Sequence, residues 1–266
     1  MATLQSANIT VMIKAARKAS GKLKRDYGEV EQLQVSTKGP ADFVTVADIR
    51  TEEMLRDSLA YARPEYGFLM EESGAIAGTD PNRRWIIDPI DGTTNFIHGI
   101  PHFAISIALE ENNEITAGVI YEPINDQMFW AEKGNGAWLN DRRMRVSGRT
   151  QMEQSIFATG IPFLSRGDHK QFLRQMESVM AVSAGIRRFG SAALDLAYVA
   201  AGRFDGFWET ELQPWDIAAG IIMVREAGGM VSEINGRDGM LKTGSILAAN
   251  PNLYKELGQT ILNTVM

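Results

Sequence analysis

The sequence predicts a layered α/β fold built in two halves, and three features carry that expectation. Two runs, HFAISIALEE at 102–111 and EITAGVIYE at 114–122, alternate apolar and polar positions as paired antiparallel strands do. From about residue 155, strand-like and helix-like segments take turns to the end of the chain, the rhythm of a sheet covered by helices. With 266 residues, 44% hydrophobic and 23% charged, the chain is long enough to bury one large core or two modest ones.

Taken in order, the first helix is expected within residues 1–25, where Ile9, Met12, Ile13, Ala16 and Leu23 form an apolar stripe at helical spacing. Lys14, Arg17, Lys18, Lys22, Lys24 and Arg25 form a basic face, and no acid precedes Asp26. Composition alone would also suit an organellar transit peptide, but the stripe favours a folded helix with a solvated face over that reading and over a partner-binding surface. A turn at Lys38-Gly39-Pro40 leads into a second helix around 45–62, followed by a strand, YGFLM, that ends in Glu71-Glu72. Trp85-Ile86-Ile87 reads as a buried strand that Asp88 is the first residue to leave. Pro89 and Gly92 then set a tight reversal, after which a Thr or Asn caps a helix.

The antiparallel pair continues into QMFWAEKGNGAWLN with its Gly-Asn-Gly turn. The second half reads as strand SIFATG, helix 168–181, strand GIRRF, helix 190–201, strand RFDGFWE, helix 215–227, short strands and a last helix at 251–263. No internal repeat or Pro-rich linker separates the halves, 1–150 and 151–266, so a single domain over 1–266 is expected.

Composition narrows the function. No apolar run approaches the roughly 20 residues that span a bilayer, and no secretory apolar core is evident at the start. The absence of cysteine excludes disulfides and thiolate chemistry and fits a cytoplasmic setting. A net charge of −6 argues against coating nucleic acid but allows a phosphorylated substrate, since metal ions can reverse the local sign.

Carboxylates stand at the edges of the expected elements: Asp48, Glu71, Asp88, Asp91 and Asp216. Singly, most have bland readings. Asp216, after Pro214, and Asp48 are by default helix caps, and Glu71-Glu72 suits an exposed loop. Asp88 and Asp91 differ, because a strand ending in Asp-Pro-x-Asp-Gly wraps both around one turn. Like charges about 4 Å apart cost roughly 4 kcal/mol at a surface-like dielectric, and cations relieve that cost. All-oxygen ligands suit Mg²⁺, Mn²⁺ or Ca²⁺. His98 and His102 do not pair as ligands, since Gly99 and Pro101 break any helix that would align them. No dinucleotide fingerprint, Walker loop or serine-hydrolase elbow is present.

MEES, WIIDPIDGTTNFIHGIPHFAISIAL, GSAALDLAYVAAGRFDGFWE and QPWDIAAGIIMVREAGG together resemble the inositol monophosphatase family, in particular its bacterial SuhB-like members, from about residue 5 to the end. The resemblance implies a five-layer α-β-α-β-α sandwich of the sugar-phosphatase type and Mg²⁺-dependent hydrolysis of a phosphate monoester, with inositol-1-phosphate the leading substrate. It implies one Mg²⁺ on Glu71, Asp88 and the carbonyl of Ile90, a second on Asp88, Asp91 and Asp216, and a weaker third near Glu71. Mn²⁺ as a substitute and lithium as an inhibitor belong to the same pattern. Gly92 and Thr93 would hold the phosphate, Asp48 and Thr93 would orient and deprotonate the attacking water, and Glu209 would contact a substrate hydroxyl in a pocket lined by Gly190, Ser191 and Ala192.

Two Mg²⁺ ions sharing a carboxylate meet the needs of the reaction, which is an activated water and a stabilised leaving oxygen, without a covalent nucleophile. A homodimer is expected by the same likeness. Alternatives are fructose 1,6-bisphosphate, histidinol phosphate or a 3′-phosphonucleotide as substrate, for which Arg187, Arg188 and Arg203 are candidate cations, and a regulatory role with the transcription machinery or RNA, for which the basic first helix is the candidate surface. One departure is Met70, where the family has glycine before the paired glutamates; a relaxed packing position is favoured over an altered metal setting.

Overall fold

The computed structural model describes residues 5–29, 35–39, 42–163 and 167–263. Helix α1 (Ala7–Gly28) starts where the Ser6 side chain accepts the Ile9 amide, and it buries Ile9, Met12, Ala16 and Leu23 of the expected stripe, with Ile13 only half-buried at its margin. A hairpin of β1 (Val35–Gly39) and β2 (Asp42–Thr45) precedes α2 (Val46–Ala62). Pro40, part of the expected turn, lies outside the described residues.

A mostly antiparallel run follows, in which only β3 and β5 pair parallel, made of β3 (Tyr66–Met70), β4 (Gly74–Ile76), β5 (Asp80–Asp91), a short α3 (Thr93–Ile97), β6 (Ala104–Glu111), β7 (Glu114–Glu122), β8 (Gln127–Glu132), β9 (Gly136–Leu139) and β10 (Arg142–Arg143). These strands form an eight-stranded sheet in the order β10-β9-β8-β7-β6-β5-β3-β4. The second half supplies β11 (Ile156–Thr159), α4 (His169–Met180), β12 (Gly185–Arg187), α5 (Ala192–Ala200), β13 (Gly206–Glu209), α6 (Pro214–Glu226), β14 (Met230–Ser232), α7 (Met240–Thr243), β15 (Ile246–Ala249) and α8 (Tyr254–Leu262). Its strands form a five-stranded sheet ordered β12-β11-β13-β15-β14.

The layers follow from which faces are apolar. Within β5, Trp85 and Ile87 join a cluster with Ile9, Met12 and Leu55 of α1 and α2, whereas Ile86 joins a second cluster with Leu196, Ile221 and Ile222 of α5 and α6. A strand whose alternate residues both meet helices reads as a continuous hydrophobic run, which is what Trp85-Ile86-Ile87 is. A third cluster, with Phe157, Trp208, Leu247, Leu257 and Ile261, joins the small sheet to α8, which packs beside α4. The result is α1 and α2, the large sheet, α5 and α6, the small sheet, then α4 and α8: the five-layer α-β-α-β-α sandwich. No described helix is long and apolar enough to cross a membrane.

The strand carrying the paired aspartates does not end at Asp88. It runs on to Asp91, with Asp88 opposite Ser106 and Asp91 opposite Ala104, and the register slips between them. Pro89, which has no N–H to give a ladder, falls inside that irregularity. The reversal comes at Gly92 instead, whose φ of 103° is open to glycine and strained for other residues.

Candidate metal centre

The bulge is what turns both aspartates toward one place. Asp88 Oδ1 accepts the Ile90 amide at 2.9 Å, folding the chain back around its own carboxylate. Asp91 Oδ2 accepts the Ser191 hydroxyl and the Ala193 amide, the latter at 2.7 Å, so the N-terminal turn of α5 holds it. Asp216 is the third helical residue of α6, and its Oδ2 takes the Gln213 amide at 2.7 Å in a capping box. It is a cap, as its position alone suggests, and the same carboxylate belongs to the acidic cluster. Carboxylate oxygens of Asp88, Asp91 and Asp216 lie within 4.8 Å of one another.

Burial and mutual repulsion dominate the electrostatics. Burial, then the charges of Glu71, Asp91 and Asp216, push the Asp88 carboxyl well above the usual range, and Glu71 also meets it in a side-chain hydrogen bond. Burial followed by the charge of Asp91 does the same to Asp216. Asp91 is raised to about 6 by burial, against the opposing donors of Ser191, Ala193 and Ala192. Closely set carboxylates, all oxygen donors and without a basic side chain among them, fit a hard divalent cation.

Asp48 is fully buried at the start of α2. Its Oδ2 accepts the Thr45 amide at 2.8 Å and the Thr45 hydroxyl at 2.6 Å, while Oδ1 lies 3.2 Å from the Thr93 hydroxyl. The helix-cap reading of Asp48 therefore holds, and the same carboxylate reaches Thr93, whose hydroxyl also lies 3.0 Å from the Ile90 carbonyl. Burial raises Asp48 against the lowering bonds from Thr45 and Thr93.

A cavity of 190 Å³ opens over the cluster, lined by Glu71, Asp91, Gly92, Thr93, Gly190, Ser191, Ala192, Glu209 and Asp216 together with Arg188 and Asp195. A larger one of 610 Å³ shares Glu71, Glu209 and Asp216 with it and continues past Trp208, Phe172 and Gln175. Every residue expected to face the substrate thus reaches one cavity wall, with Asp88 beneath it and Asp48 behind Thr93.

Glu209 ends β13 and is raised to about 8 by burial and the charge of Asp91, opposed by Arg188 and the Gly160 amide. Gly160 gives it space, since a Cβ there would stand 1.8 Å from Glu209 Oε1. Of the candidate arginines, Arg188 lines the cavity, whereas Arg203 stacks 4.5 Å from the Tyr198 ring and bonds Gln127. His102 lies 5.1 Å from the Phe189 ring and takes no part in the acidic cluster.

Gly160 and Asp195 are among the lining residues that escaped the sequence reading. Gly160 closes an unremarkable strand, and nothing local marks it. Asp195, two per cent exposed with an unpartnered Oδ1, sits in the first turn of α5, where a cap or dipole partner is the default. Met70 is fully buried in β3, opposite Gly74 and Ile87, and its φ is not positive. An extended strand position needs no glycine, and the methionine serves as packing.

The model of the inositol monophosphatase family matches residues 5–265. An inositol-1-monophosphatase of Mesorhizobium japonicum is 55% identical over 253 residues, 95% of this chain and 95% of that protein. Nus factor SuhB of Salmonella typhimurium is 43% identical over 249 residues, 94% of this chain and 93% of its own length. The crystal structure of extragenic suppressor protein SuhB from Bartonella henselae superposes with a TM-score of 0.94 at 55% identity, covering 96% of this chain and 98% of that one. With a layered sandwich, an acidic cluster at the C-terminal end of β5 and a match along nearly the whole sequence, the chain belongs to the inositol monophosphatase family and is a phosphoric monoester hydrolase.

Proposed function

We propose that the chain is a Mg²⁺-dependent inositol-1-phosphate phosphatase, cytoplasmic and homodimeric, folded as one catalytic domain. The observation that carries the reading is the meeting of Asp88, Asp91 and Asp216 below a cavity that also presents Thr93 and Glu209. Glu71, Asp88 and the Ile90 carbonyl would hold one ion, and Asp88, Asp91 and Asp216 a second, with a weaker third near Glu71; Mn²⁺ would substitute and Li⁺ inhibit. Bound Mg²⁺ would offset the carboxylate repulsion and stabilise charge on the attacking and leaving oxygens.

The remaining work falls to the protein's own groups. Thr93 has one hydroxyl proton and two acceptors in reach, the Ile90 carbonyl and Asp48 Oδ1. When the carbonyl is engaged elsewhere, that proton goes to Asp48, and Thr93 Oγ1 is left as an acceptor that orients the attacking water. Asp48, buried and raised, is suited to hold the proton passed on through Thr93. Gly92 has no side-chain cap, so the first amides of α3 are free of a competing side chain and suit a phosphate oxygen. Glu209 would accept hydroxyls of the polyol, with Gly190, Ser191 and Ala192 forming the facing wall.

The test is phosphate release from a panel of inositol-1-phosphate, fructose 1,6-bisphosphate, histidinol phosphate and nucleoside monophosphates, with Mg²⁺ and with chelator. Inositol-1-phosphate should be turned over with the highest kcat/KM and chelation should stop it. A preference for fructose 1,6-bisphosphate would transfer the assignment and give Arg188 a second phosphate to bind.

A second reading, a regulatory partner of the transcription machinery, is favoured by relatives named Nus factor SuhB and by the exposed basic face of α1. Capture of transcription proteins from lysate by an inactive variant as well as by the native chain would support it.

A further inference from the structure

Glu52 stands one helical turn after Asp48 on α2 and is two per cent exposed. Its carboxylate makes no ion pair among the described residues. Oε2 accepts the Glu72 amide at 2.8 Å, and Oε1 accepts the Ser73 amide at 3.0 Å as well as the Ser73 hydroxyl. A buried charge is costly unless its lone pairs are filled, and here every bond goes to the two residues after Glu71. The amide of Glu71 itself is taken by the Ile87 carbonyl at 3.2 Å. Three successive amides are therefore pinned, one by the strand that carries Asp88 and two by the helix that carries Asp48.

That arrangement addresses a specific weakness. Asp88 and Asp91 are anchored in a strand and Asp216 in a helix, but Glu71 lies in the turn between β3 and β4. Carboxylates that repel one another push hardest against the least rigid support, and a turn is that support. We infer that Glu52 is a positioning residue: by clamping the Glu71-Glu72-Ser73 turn to α2 it holds the Glu71 carboxylate beside Asp88 and thereby sets the cluster's affinity for divalent metal. This rests on the metal-site reading proposed above. Because Asp48 and Glu52 share one face of α2, the same helix sets the Thr93 hydroxyl and the Glu71 turn at a constant separation.

Glu52→Gln nearly preserves size but places an N–H₂ donor against an amide donor. Calorimetric titration of metal-free protein with MgCl₂ should show binding weakened by about tenfold, the scale of lost support for a ligand. Amide exchange at Glu72 and Ser73 should quicken in the metal-free protein, and kcat at saturating Mg²⁺ should stay within about threefold of wild type, the loss lying in metal affinity. Glu71→Gln serves as the reference. If it weakens Mg²⁺ binding while Glu52→Gln leaves binding unchanged, even with a lowered Tm, Glu52 is merely structural and the inference is overturned. If Glu71→Gln has no effect on binding, the metal-site reading falls and the inference with it. Should Glu52→Gln fail to fold, Ser73→Ala carries the test, because it removes one donor to Glu52. A rise in the Mg²⁺ dissociation constant of about threefold supports the clamp, and an unchanged value overturns it.

Discussion

The Ser191 hydroxyl donates to Asp91 Oδ2 across 100 positions of sequence, and the same Ser191 oxygen accepts the Leu194 amide as the cap of α5. One side chain thus begins a helix in the second half and seats a carboxylate from the first. Ser191→Ala should cost about 1 kcal/mol through the lost cap. It should also weaken Mg²⁺ binding, since Asp91 then keeps only backbone donors. Thermal melting and calorimetric titration check the two effects separately.

Asp88 is the most deeply set of the three clustered aspartates, two per cent exposed, and its pKa is raised first by burial and then by Glu71, Asp91 and Asp216. Asp88→Asn should abolish phosphate release while leaving the metal-free protein folded, because it removes charge from a site whose members repel. Activity above a tenth of wild type at saturating Mg²⁺ would refute a bridging role.

Magnesium should raise the Tm, since an ion that binds only the native state stabilises it in proportion to its occupancy. Asp216→Asn should blunt that rise and leave the Gln213 cap largely intact, because an amide oxygen still accepts. Melting curves across a Mg²⁺ series decide the point; no Tm change on chelation would remove the metal site from consideration.

Glu209 supplies a pH signature. Its carboxyl is raised from 4.5 to about 8, so between those values the unfolded chain has released a proton that the native state keeps. Stability from this group is complete below the unfolded pKa and is lost as pH rises through the folded one. His102 is lowered from 6.5 to about 4 and opposes this trend only below 6.5, where the unfolded chain takes up its proton. The metal-free Tm should therefore fall between 6.5 and about 8, and Glu209→Gln should flatten the fall in part, with the raised carboxyls of Asp88, Asp195 and Asp216 also contributing.

The same variant tests selectivity. Above about pH 8, where Glu209 is ionised, a charge-assisted bond from a polyol hydroxyl contributes about 1.5 to 3 kcal/mol, so Glu209→Gln assayed there should lower kcat/KM for inositol-1-phosphate by roughly tenfold or more. Glycerol-2-phosphate, with fewer hydroxyls to present, should lose much less. Equal losses on both would place Glu209 in the metal or water machinery.

The sequence alone determined what is local. Sequence pattern marked α1, the β6–β7 pair and α4, α5, α6 and α8, though not the short α7, and each candidate carboxylate was visible as a charge at an element edge. Its family likeness extended that to roles. Local rules could not choose between cap and site residue for Asp48 and Asp216, and in the folded chain both are caps that also stand beside other candidate residues. Asp216 caps α6 through Oδ2 and its carboxylate also belongs to the acidic cluster, while Asp48 caps α2 with Oδ2 and reaches Thr93 with Oδ1.

Tertiary structure decided the rest. Asp88 leaves the Trp85-Ile86-Ile87 run in sequence but not in space, because pairing with β6 carries the strand to Asp91 and confines Pro89 to a bulge. Sheet order brings Asp91 to α5 and Glu209 beside Gly160. Nothing local marks Glu52, whose carboxylate finds its donors only in the turn after Glu71. Periodicity records which face a side chain shows, and that is fixed by its neighbours along the chain. Which donor fills a buried oxygen depends on elements tens of residues away, and only their packing in one body brings that donor within reach.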